Sequence, residues 1–81
     1  MCEDLRKRVH DLDVTLWVGK AGPGAVVDEL SAQLEDRDLV KARVLRAARG
    51  GTTVDAVADE LASATGAEVL DVRGNTAVFH R

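Results

Sequence analysis

Gly19-Lys20-Ala21-Gly22 is the stretch of this chain best equipped to meet a polyanion. Glycine has no Cβ, so the backbone there turns tightly and leaves its N–H groups unobstructed. Free amides at a helix N-terminus, with the partial positive charge they carry, hold anions and phosphate above all. Lys20 adds a mobile ammonium at the tip, and Pro23 suits the first turn of a following helix, where its missing N–H costs nothing. The chemistry implied is a clamp on a phosphate backbone. Such a loop fixes position along a chain and carries no base code.

Further cations extend the pattern. Lys41 and Arg43 alternate along a second apolar run, Arg46 and Arg49 continue it, and Arg73 precedes a turn. They are expected to share one basic surface. The single Trp17 lies in a strand, where an indole could stack on a base but more often serves as partly buried packing. With no Tyr and one Phe, stacking platforms of the RRM type are excluded, so contact should be dominated by backbone and weakly selective for sequence. His10 and His80 have no ligand spacing with Cys2 or with carboxylates, and Ser31 and Ser63 fall in mid-helix. No enzyme, metal site or cofactor is expected. Asp55, Asp59 and Glu60 read as a solvated helix face.

Regular elements must position these residues. Leu5, Val9 and Leu12 follow helical spacing over residues 3–12, with Arg6, Lys7 and Arg8 on the other side. Residues 14–18 read as a strand with Val14, Leu16 and Val18 on one face, Thr15 and Trp17 on the other. A helix over residues 23–36 is lined by Val26, Val27, Leu30 and Leu34. In the strand over residues 39–45, Val40, Ala42 and Val44 oppose Lys41 and Arg43. Strand, helix, strand implies a right-handed crossover and parallel pairing, directly or through an intervening strand.

After a basic connection over residues 46–51, Thr52 with Asp55 three positions later reads as a variant capping box. Val54, Val57, Ala58, Leu61, Ala62 and Thr65 keep helical spacing, and Gly66 marks the stop. Residues 68–73 and 76–81 form a hairpin around Gly74-Asn75, which sets Val72 opposite Ala77 and Leu70 opposite Phe79. The result is an α/β two-layer sandwich of order α-β-α-β-α-β-β with a four-stranded mixed sheet.

At 81 residues the chain makes one domain over residues 1–81. Its formal net charge of −3 argues against a polyanion partner unless positive charge is gathered locally, which the sequence does. No apolar run is long enough to cross a bilayer, and no secretion signal opens the chain. A single cysteine makes no internal disulfide and fits a reducing cytoplasm.

Three segments in order, spanning the chain from about Val14 onward, resemble the CRM domain (chloroplast RNA splicing and ribosome maturation), most closely its stand-alone YhbY-like members. They are Val14-Thr15-Leu16-Trp17-Val18-Gly19-Lys20-Ala21-Gly22 with the hallmark G-x-x-G, then Asp38-Leu39-Val40-Lys41-Ala42-Arg43-Val44. Third comes Ala64-Thr65-Gly66-Ala67 through Arg73-Gly74-Asn75-Thr76-Ala77-Val78-Phe79-His80-Arg81, with Asn75 where the family's hairpin carries Lys.

The resemblance implies a fold similar to the C-terminal domain of translation initiation factor three. It also implies a non-enzymatic RNA-binding protein acting in assembly of the large ribosomal subunit. Partners on that reading are ribosomal RNA, pre-large-subunit particles and ribosomal proteins, with a monomer and no membrane. Two rival readings remain open, an Alba-like nucleic-acid-coating protein and a protein–protein adaptor on the ribosome.

Overall fold

The computed structural model describes residues 3–46 and 52–81, with side chains from Lys7 onward. The element order is α1 (Glu3–Asp11), β1 (Val14–Val18), a 3-10 turn (Pro23–Val26), α2 (Val27–Asp36), β2 (Leu39–Val44), α3 (Val54–Thr65), β3 (Glu68–Arg73) and β4 (Thr76–His80). The four strands form one mixed sheet in the order β1-β2-β4-β3. β1 and β2 are adjacent and parallel, so the crossover through α2 joins neighbours directly. β4 runs antiparallel to both of its neighbours.

Alternation along the strands decides what the sheet covers. Leu16 and Val18, Val40, Ala42 and Val44, and Ala77 and Phe79 pack with Leu30 and Leu34 of α2 and the apolar stripe of α3. Phe79 is fully buried, a placement that stabilises the fold by roughly 2–3 kcal/mol relative to leaving the ring in water. On the opposite face Leu39 and Val78 pack with Val9 of α1, with Leu12 and Leu70 at the margin. The helix α1 therefore closes part of the sheet face on which Lys41 and Arg43 lie.

Helix ends follow local chemistry. Thr53 is the N-cap of α3, its hydroxyl accepting from the Ala56 amide at 3.1 Å. The cap is thus one residue later than Thr52, and Asp55 falls in the first turn, too early for the return arm of a capping box. Gly66 ends α3 in the left-handed region at φ 72°, and the Ala67 amide closes onto the Ala62 carbonyl. Arg81 lies beyond β4. Its guanidinium donates to Ser31 Oγ, the Ser31 carbonyl and the Thr65 carbonyl at 3.0–3.1 Å, tying the C-terminal end of α3 to α2.

Two irregularities alter the expected register. Between Val69 and Asp71 the β3–β4 ladder shifts, so Val69 and not Leu70 faces Phe79, while Val72 pairs with Ala77. A bulged residue leaves the alternation, and Leu70 turns to the α1 side. A similar shift between Val14 and Leu16 pairs Val14 with Lys41, away from the face of Leu16 and Val18. The intervening Thr15 donates its hydroxyl to Gln33 Oε1 of α2 at 2.7 Å, and Gln33 Nε2 donates back to the Thr15 carbonyl.

Candidate nucleic-acid interface

β1 ends at Val18 and the glycine loop begins at once. The Gly22 amide donates to the Gly19 carbonyl at 2.9 Å, closing a tight turn with Lys20 and Ala21 at its centre. Both central residues are exposed. Gly22 has φ 87° and ψ 177°, a conformation open essentially to glycine alone. At Gly19 the backbone makes no such demand, and a Cβ would meet no atom within 4 Å. The corner lies open to solvent, and one of its amides is engaged within the turn.

The helix expected over residues 23–36 is divided. Pro23 opens a 3-10 turn, and α2 begins only at Val27. Asp28 and Glu29 occupy the first turn of α2, complementing its positive end themselves. The dipole of α2 is therefore displaced from the glycine corner. The groups available at the corner are its own backbone and the Lys20 ammonium.

Three connections converge at this end of the sheet. The Leu45 amide donates to the Val18 carbonyl at 2.9 Å, holding the segment after β2 beside the start of the glycine loop. The Val44 amide donates to the Asn75 carbonyl at 2.7 Å, holding the β3–β4 turn alongside. Arg46 is exposed just beyond Leu45. One row of cross-strand neighbours runs Trp17, Arg43, Thr76, Arg73 across all four strands. Lys20, Arg43, Arg46 and Arg73 thus share one end of the sheet, a juxtaposition that spacing alone does not reveal.

The remaining cations divide. Lys41 lies farther down β2 and donates to the Leu12 carbonyl at 3.3 Å, satisfying the end of α1 and standing apart from the others. Arg73 is paired with Asp71, Nε to Oδ2 at 3.4 Å, on an exposed part of the surface where such pairs hold weakly. Arg49 lies outside the described residues. Trp17 departs from expectation, since 54% of it is exposed on the outer sheet face. Edge position explains this, because among the described residues no strand lies beyond β1 and α1 packs farther along the sheet.

Fold and site together define a small α+β protein with a glycine-turn corner and a basic end to its sheet. The CRS1 / YhbY (CRM) domain matches residues 2–81, and the chain belongs to that family. A Methanocaldococcus jannaschii protein named "Probable RNA-binding protein" is 38% identical over 77 residues, covering 95% of this chain and 58% of its own. The chain thus spans little more than half of that relative. The solution structure of a hypothetical Staphylococcus aureus protein, named as an RNA-binding candidate, superposes with a TM-score of 0.76 at 29% identity. That match covers 96% of this chain and 80% of the other, and places the sheet and three helices in the same fold.

Proposed function

We infer that the protein binds RNA without catalysis, gripping the phosphate backbone of structured RNA at the Gly19–Gly22 corner. The observation that carries this reading is the open glycine turn with exposed Lys20 at the same sheet end as exposed Arg43 and Arg46. Amides of Lys20 and Ala21 would donate to phosphate oxygens, while the Lys20 ammonium and the guanidiniums of Arg43 and Arg46 neutralise neighbouring phosphates. Family membership and the RNA-binding names of two relatives support the same ligand. The target in this reading is precursor or mature large-subunit ribosomal RNA, met in the cytoplasm by a monomer during subunit assembly.

Gradient sedimentation of cell lysate, followed by crosslinking and sequencing of the attached RNA, tests it. Co-sedimentation with large-subunit precursors that ribonuclease abolishes is the expected result. Association that survives ribonuclease would instead mark a protein adaptor, and dimers coating duplex DNA as readily as RNA would mark an Alba-like protein.

A further inference from the structure

We propose that Trp17 and Arg43 form a stacking ledge for one unpaired nucleobase beside the phosphate clamp. The inference rests on the RNA-binding reading and adds a ligand preference, for unpaired over fully duplex RNA. Among the described residues the exposed large hydrophobic side chains are Trp17 and Leu45, at 54% and 39%. Both lie near Arg43 at the same end of the sheet. Trp17 is its cross-strand partner, and Leu45 lies two positions on along the same chain. Another part of the outer sheet face is closed by α1 against Leu39 and Val78, and among the described residues the ledge is left open.

Chemistry selects the occupant. An indole left more than half exposed offers a flat apolar surface, and the guanidinium beside it stacks on planar groups and carries charge. Lys20 and Arg46, both exposed, lie at the same end of the sheet as the ledge, and the glycine turn begins two residues after Trp17. An unpaired nucleotide supplies the matching pair of features, a flat base and an anionic linkage. Within a duplex both faces of a base are already stacked and unavailable to the indole. Single-strand binding through aromatic stacking follows this pattern.

Trp17 is the only tryptophan, so its fluorescence reports on the ledge alone. The full chain is titrated with an unpaired RNA oligonucleotide and, separately, with a blunt RNA duplex of equal phosphate count. Stacking predicts strong quenching by the unpaired RNA and little by the duplex. Trp17→Leu should weaken binding of unpaired RNA on the order of 5- to 150-fold, with Trp17→Phe retaining most of the affinity. Because no charge is removed, the slope of log affinity against log salt should not change in either variant.

Binding of unpaired RNA with unquenched fluorescence and an indifferent Trp17→Leu variant would overturn the ledge and leave the phosphate clamp standing. Equal quenching by the duplex would overturn it too. A protein that binds neither RNA would defeat the clamp and the ledge together.

Discussion

Replacing the two glycines of the loop one at a time separates what the fold requires from what a ligand requires. Gly22 sits at φ 87° and ψ 177°. An alanine there meets no neighbour, so its cost is purely conformational, about 1–3 kcal/mol. For a chain of this length, one kcal/mol displaces the melting temperature by about 6 °C. Gly22→Ala should therefore melt about 6–18 °C lower than the parent.

Gly19 has no positive φ, and the space beside it is empty of protein atoms. Gly19→Ala should be neutral, or more stable by about 0.4–1 kcal/mol because the unfolded chain loses freedom. In the phosphate-clamp reading that empty space is where the ligand backbone approaches, and a methyl group there holds it off. Loss of one charge-assisted hydrogen bond, roughly 1.5–3 kcal/mol, corresponds to about 10- to 150-fold weaker RNA binding. Thermal unfolding by circular dichroism and RNA titration on the same preparations provide both readings. A Gly19→Ala protein with undiminished stability and undiminished affinity would refute the close approach of phosphate to this turn. An unshifted melting temperature for Gly22→Ala would refute the conformational argument.

Other expectations follow from single contacts. Lys20→Ala should lower the slope of log affinity against log salt by about 0.7–0.9, one phosphate's worth, and weaken binding across RNA sequences alike, as salt titration measures. An unchanged slope would remove Lys20 from the contact. Thr53→Ala removes the hydroxyl that accepts from the Ala56 amide and should cost about 1 kcal/mol in urea unfolding, whereas Thr52→Ala should cost little. Arg81→Ala breaks the link among β4, Ser31 and Thr65 and should cost about 1 kcal/mol in the same assay, with RNA affinity preserved.

How much of this was legible beforehand depends on the range of the interaction. The stripe from Val54 to Thr65 and the stop at Gly66 follow from helical periodicity and one left-handed residue, both local properties. The parallel sense of β1 and β2 follows from strand–helix–strand order, whereas their direct adjacency is a property of the whole sheet. The register of Leu70 and the face of Val14 were not legible, because a bulge inserts one residue and the sequence carries no mark of where. The choice of Thr53 over Thr52 rests on backbone angles that adjacent identical residues do not distinguish. Local pattern favours packing for Trp17, because apolar residues in strands usually face a core. Its exposure depends on β1 being an edge and on where α1 ends.

The sequence by itself determined the order of the strands and main helices, the apolar faces of α2 and α3, and the glycine corner with its lysine, since each depends on residues within one or two turns of each other. The tertiary structure alone decided which cations meet. Strand order 1-2-4-3 brings Lys20, Arg43, Arg46 and Arg73 to one end, while the Leu12 carbonyl just after α1 draws Lys41 away. That outcome is set by hydrogen bonds between residues far apart in the chain, Leu45 to Val18 and Val44 to Asn75, which no local pattern encodes.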